Sequence, residues 1–493
     1  MTFAAPLLVF GALLASPGPQ IPPPLAELDR AADLLARREA ILAGERPRLP
    51  AAGPRGDARA ADGSSRFVVL AEVVPRAGDA SKDAARDPAR LEAAAALFDL
   101  ANRAAKGPSP AYSFADDCLR LVLERQPDHA EARRLLGFVP RDGGWATPFA
   151  VDQLAQGNVA DPTFGWVPGD WVPHLGRDEL PAPNGSNRWL PTAEADALRR
   201  NWSPPWQIRT EHFEVRTNVP LSAAISFGRK LEDFHQLFFA LMADVIGPDL
   251  LPLAQRFKNP AAKPATSKRP RHQVCYFANR DEYARHLAPI QGGGAKVSLG
   301  TYVPRKESKT FGGISYFFKD DGGQLDVTST LYHEASHQLL FESAGPDDYV
   351  RNVGNYWVFE GLGTYFETIQ PEPGGILRFG GLVGPRIAQA RLRLLQNGEF
   401  IPIERFAALN QARFQEDQVI YLHYAQSMAL AVYLMQGRDG GYREGFLDYV
   451  RDAYRGRFRG GSGRTLEDRV GVRYRDLDRE FLEYLGSGPA GHP

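Results

Sequence analysis

The stretch Leu331-Tyr-His-Glu-Ala-Ser-His-Gln-Leu-Leu340 constrains this chain more than any other. His333 and His337 stand four residues apart. On a helix of 3.6 residues per turn both imidazoles leave one face, a turn apart, close enough to grip a single metal ion. Glu334 follows the first histidine, and its side chain leaves the helix roughly 100° away, where a carboxylate can take a proton from water held at the metal. Only ten histidines occur in 493 residues, so a coincidental match is uncommon.

The surrounding residues predict the helix that this spacing needs. Val327, Leu331, Leu339, Leu340 and Phe341, with Ala335 between them, suit a buried helix, and Asp326 or Thr328 can cap its start. Catalytic zinc sites take three protein ligands and keep one position open, so a third ligand is expected downstream. Glu360 is the candidate, in Tyr356-Trp-Val-Phe-Glu-Gly-Leu-Gly-Thr-Tyr-Phe-Glu367. An unpaired carboxylate is costly to bury in so apolar a run, and a metal removes that cost. The alternative is an ordinary surface glutamate on an amphipathic helix. Three such ligands suit zinc, one ion per chain, although cobalt or manganese fits the same geometry.

Taken together, His333-Glu334-x-x-His337 and Trp357-x-x-Glu360-Gly361-x-x-x-Tyr365, with 22 residues between His337 and Glu360, resemble the gluzincin metallopeptidases, the thermolysin and aminopeptidase clan. The pattern is also similar to a bacterial family of secreted zincin-like proteins with the same W-x-x-E-G signature. The resemblance implies a zinc-dependent hydrolase that cleaves peptide bonds with Glu334 as general base and His333, His337 and Glu360 as ligands. It also implies an α+β fold with a zincin-like catalytic domain. One departure stands out, because Thr364 occupies the place where thermolysin-like enzymes use an aspartate to orient a histidine. Glu367, one turn further on, is the expected substitute.

At this length, with 43% hydrophobic and 24% charged residues, the chain is globular and can hold two or three domains. A net charge of -1 gives no basis for a nucleic-acid partner. Residues 2–15 form an apolar run of signal-peptide length, too short for a membrane span, so residues 1–20 read as a leader and the chain as a secreted or envelope protein. A mature chain starting between Ala15 and Gln20 is the expected result of N-terminal sequencing, and recovery of Met1 would favour a retained anchor. Cys118 and Cys275 lie too far apart in sequence to suggest a disulfide framework and read as small buried residues.

Residues 21–140 read as a helical region, with helices expected over Leu25–Leu42, Leu91–Lys106 and Phe114–Arg125 and a flexible linker over Pro47–Ser65. Pro127 and Asp128 separate two short helices that resemble one tetratricopeptide-like pair, a possible surface for a protein partner. Residues 141–206 hold six of the seven tryptophans among prolines and glycines. They read as a connector stapled down by its tryptophans, with an aromatic binding platform as the alternative.

The zincin-like peptidase domain is expected over 207–488. Strands are predicted at His212–Thr217, Gln273–Phe277, Val297–Val303 and Gly312–Phe318; the last lies where the resemblance to zincins implies the edge strand that holds a peptide substrate, with an ordinary sheet strand as an equal alternative. A helix over Leu221–Val245 buries Phe227, Leu231, Phe234, Phe238 and Leu241, with His235 a packed or surface histidine and not a ligand. Arg256–Arg271 reads as a solvated basic loop. In the later helix Gln418–Met435, Tyr421, His423 and Tyr424 cluster at the start. Tyr424 is the candidate donor to the oxyanion of peptide hydrolysis, against an ordinary packing role. The competing reading of the whole chain is a non-catalytic binding or assembly protein on a zincin scaffold, which has no need of Glu334.

Overall fold

The computed structural model describes residues 24–43, 63–75, 87–183, 187–202, 204–261, 264, 270–291, 298–304, 312–320, 327–345, 352–459 and 463–487. The predicted leader and most of the predicted linker lie outside the described residues. So does Asp326, one of the two residues read as a cap.

The architecture is α+β. Its centre is a five-stranded mixed sheet in the order Gly300–Val303, Ile314–Phe318, His272–Phe277, Phe213–Thr217, Trp206–Arg209. The three inner strands run parallel, with Val215 opposite Val274 and Cys275 opposite Tyr316, and both outer strands are antiparallel to their neighbours. Period-two alternation sorts the side chains onto two faces. Val274, Tyr276 and Phe317 face the main core, where Phe227 stacks on Tyr276 at 4.0 Å. Cys275, Phe277, Tyr316 and Phe318 face a smaller core closed by Tyr283 and Leu287 of the helix Arg280–Gln291. Both cysteines are buried and free.

The helix Leu221–Leu241 packs on the main face through the five residues expected of it, all buried. The helices Val327–Ala344 and Tyr356–Phe366 follow, here called the histidine helix and the glutamate helix. The helix Ile420–Gly440, kinked at residues 437–439, packs along the glutamate helix and is buried over most of its length. Among the described residues no helix is long and apolar enough to cross a membrane.

Three expectations need correction. Gly312–Phe318 is not the edge strand: Ile314–Phe318 lies inside the sheet, and Gly300–Val303 forms the edge beside the histidine helix. Arg256 does not sit in a solvated loop, because Pro252–Lys258 is a helix with Leu253, Ala254 and Phe257 buried. The tryptophan-rich segment is not merely an extended connector. It folds as three successive β-hairpins, Val139–Ala146, Asn158–Pro168 and Glu179–Pro191, each leading into a short helical turn. Trp145, Trp166 and Trp189 occupy the second strand of each hairpin.

The N-terminal elements are tied into the body rather than strung before it. Ser64–Val68 pairs antiparallel with Ile376–Gly380, adding a strand just after the glutamate helix. From the helix Pro24–Leu42, Arg37 donates to the carbonyl of Val470 at 2.7 Å, and Arg38 pairs with Asp448 at 3.4 Å.

Candidate metal centre

Between Leu331 and Leu340 every side chain is buried except that of Glu334, which is partly exposed. The histidine helix is thus enclosed, with one carboxylate at an opening. His333 and His337 are 8% and 7% exposed, and Glu360 reaches them from the glutamate helix at 4%. The two Nε2 atoms lie 3.0 Å apart. Glu360 Oε2 lies 3.4 Å from that of His333 and 3.8 Å from that of His337. A tetrahedral ion with bonds of about 2.0 to 2.1 Å separates its ligand atoms by about 3.4 Å, which these three distances bracket. The imidazoles are crossed at 85°, so their in-plane lone pairs can converge on one point.

The donor set fits a cation in two further ways. Glu360 Oε2 is buried without a hydrogen-bond partner, whereas Oε1 accepts from the Tyr356 hydroxyl at 2.8 Å. Burial alone would raise the Glu360 carboxyl, yet the two histidines hold it well below the usual carboxylate range. For His333, burial works against the charged form but Glu360 and Glu367 outweigh it, pushing the imidazole up to about 10. Surroundings that favour a charged imidazole this strongly also favour a metal ion at the same point.

His333 and Glu360 are held from behind by hydrogen bonds, whereas His337 Nδ1 is buried with no such partner among the described residues. His333 Nδ1 bonds Glu367 Oε1 at 2.8 Å, and Glu367 is gripped by Arg386 at 2.5 and 3.1 Å. This fixes the tautomer that leaves Nε2 free to coordinate. Thr364 cannot do this, since its hydroxyl bonds the carbonyl of Glu360 at 2.8 Å. His337 is oriented by stacking on Phe359, with ring centres 4.0 Å apart and planes 5° from parallel.

The cluster of Tyr421, His423 and Tyr424 is split by the helix. Tyr421 is 68% exposed and points away. His423 is buried, with Nδ1 bonded to the carbonyl of Phe414 at 2.8 Å. Only Tyr424 faces the site. Burial and the nearby Glu360 carboxylate push its phenol up, so it stays protonated and able to donate.

Glu334 is positioned by the edge strand, whose Tyr302 N–H donates to Oε2 at 3.0 Å. The Tyr302 hydroxyl donates to Glu342 Oε1 at 3.2 Å, so this one residue is fastened to the histidine helix at two points. Sequence reasoning missed Tyr302, Tyr356, Arg386 and Gln415. It also missed Gly363, whose close approach is the clearest of these signals in retrospect. A Cβ at Gly363 would lie 2.8 Å from Cε1 and 2.9 Å from Nε2 of His333. Gly363→Ala is therefore expected to push His333 off the ligand position and weaken metal binding by about tenfold or more, measured by competition with a chromophoric chelator.

A cavity of about 1220 Å³ lies elsewhere and does not contain this triad. It lies between the second hairpin, the segment around Glu72 and the start of the central sheet, and Trp166, Trp171, Glu211, Glu232, Asp233 and Arg229 are among its walls. A second His-Glu-His group stands there, with Glu232 accepting from the backbone N–H of His212 and pairing with its Nδ1, both at 2.7 Å. His235 stacks face to face on His212 at 3.7 Å and 15°, so no ion can lie in both ring planes. This cluster is an ion-paired stack, and His235 is a packed residue held between His212 and Phe239.

Glu211 on the same wall is 21% exposed, and burial, with Glu232 and Glu72 adding to it against His212, pushes its carboxyl up to about 7. A raised carboxyl favours the protonated folded state. Its stabilisation is present below the unfolded value near 4.5 and is lost as pH rises through about 7. Glu211→Gln is expected to raise stability at pH 8 by about 1 to 2 kcal/mol and to change little at pH 4, read from denaturant midpoints.

Residues 327–456 match a family model described as a protein of unknown function (DUF1570). The matched segment is similar to that family from the first residue of the histidine helix to just past the helix Arg443–Tyr454, so it holds the whole triad, Glu334 and Tyr424. No curated protein matches the chain.

Proposed function

We propose that this chain is a gluzincin-like zinc metallopeptidase, with His333, His337 and Glu360 as ligands and Glu334 as general base. The observation that carries this reading is the convergence of two crossed imidazoles and a buried, unpartnered carboxylate oxygen at tetrahedral spacing, beside one partly exposed glutamate. A zinc ion held there supplies Lewis acidity towards the substrate carbonyl at neutral pH.

The protein's own groups do the rest. Glu334 takes the proton of the attacking water as its oxygen bonds to the carbonyl carbon, then delivers that proton to the amide nitrogen as the C–N bond breaks. The Tyr302 N–H keeps one Glu334 oxygen fixed during this exchange. An extended peptide is assigned to Gly300–Val303, the edge strand among the described residues and the one next to Glu334. Tyr424, a protonated phenol beside Glu360, is assigned to the developing oxyanion. The apolar run over residues 2–15 supports reading the substrate as one met outside the cytoplasm.

The test is metal analysis of purified protein alongside digestion of a broad peptide library. About one zinc per chain is expected. Cleavage should be abolished by chelation and restored by zinc, and fully metallated protein that cleaves nothing would defeat the peptidase reading.

A further inference from the structure

The two oxygens of Glu360 have different partners. Oε1 accepts from the Tyr356 hydroxyl, one helical turn earlier, at 2.8 Å. Among the described residues Oε2 has no hydrogen-bond partner, and it faces the two Nε2 atoms. The direction of the Tyr356 bond is set from behind. Gln411 Nε2 donates to Gln415 Oε1 at 3.1 Å, which turns the Gln415 amide so that its own Nε2 donates to the Tyr356 oxygen at 3.1 Å. With a lone pair so engaged, the phenolic proton is directed to Glu360. The chain Gln411, Gln415, Tyr356, Glu360 is a one-way relay of donors ending on one ligand oxygen.

We infer that Tyr356 is a positioning residue that makes Glu360 a one-oxygen ligand: by occupying Oε1 it leaves Oε2 alone for the ion. This rests on the metal-site reading above. A carboxylate can bind through one oxygen or both, and the choice decides whether a three-residue site keeps a position open for a reactant. Two oxygens from Glu360 would add a fourth protein donor atom beside the two imidazoles. Tyr356 is well placed for the role, being buried and packed edge-on against Phe414 at 5.3 Å, so its hydroxyl has little freedom to swing away.

The test is spectroscopic and does not depend on turnover. In wild-type protein, X-ray absorption at the zinc edge should give about four nitrogen or oxygen neighbours at about 2.0 to 2.1 Å. Five or six neighbours, with the carboxylate carbon drawn in close as a two-oxygen ligand requires, would overturn the inference whether or not any variant folds. In Tyr356→Phe the neighbour count should rise by about one, and the visible bands of the cobalt-substituted protein should weaken by roughly half as the geometry leaves tetrahedral. An unchanged cobalt spectrum in fully loaded Tyr356→Phe would reduce Tyr356 to packing. These failures differ from failure of the site itself, in which wild type takes up no stoichiometric metal or Glu360→Gln takes up as much as wild type.

Discussion

Glu334→Gln is expected to keep its metal and its fold while peptide hydrolysis falls by a factor of about a hundred or more. Glutamine preserves the size of the side chain and can still accept the Tyr302 N–H, which bonds Glu334 at 3.0 Å in the native protein. It cannot accept the proton of the attacking water. Glu334 is not one of the three groups whose donor atoms converge, so metal occupancy should not change. The comparison also separates the two classes of function weighed from the sequence, because binding or assembly on an inert scaffold would be indifferent to the substitution. Equal degradation of a peptide library by wild type and variant would remove Glu334 from the chemistry. Inactivity of both, with intact metal and shared binding of a partner, would favour the scaffold.

What the sequence made legible follows from which interactions have a fixed period. His333 and His337 are ligand types at helical spacing, and the helix Val327–Ala344 delivers both to one face. Glu360 betrayed itself by being an acid in an apolar run, and it proves nearly inaccessible. Glu367 was expected to replace the orienting aspartate and bonds His333, since seven residues on a helix return to nearly the same face.

Groups that arrive from other elements had no such signal. Gln415 and Arg386 meet the site only because distant turns and helices fold back onto it. Tyr356 lies at helical spacing from Glu360, but an aromatic residue in an aromatic run looks like core. The edge strand was left open between two readings because sequence order places Gly312–Phe318 next to the histidine helix, whereas hydrogen bonding puts Gly300–Val303 outside it. In the tryptophan-rich segment each hairpin strand has only three or four residues, too few for alternation to register. Among the prolines that excluded long helices there, Pro148 starts a helix and Pro168 and Pro191 end strands, where a missing N–H costs little.

Glu360→Gln should produce the largest loss of metal. It removes the one anionic ligand and leaves two neutral imidazoles, while Tyr356 and the helix around it can stay in place because the volume is unchanged. Occupancy is expected to fall from about one zinc per chain to a small fraction after dialysis. The thermal consequence follows by mass action: a ligand that binds only the native state at a thousand times its Kd stabilises by about 4 kcal/mol, so zinc should raise the Tm of wild type by several degrees and that of Glu360→Gln scarcely at all. Glu367→Gln makes the contrast. It bonds His333 at Nδ1, the nitrogen facing away from the site, so it cannot substitute as a ligand. Its loss should lower affinity by about ten- to a hundredfold without abolishing binding, as expected of a group that orients a ligand. Full occupancy in Glu360→Gln would place the third ligand elsewhere, and equal losses in the two variants would mean that Glu360 acts only by holding His333.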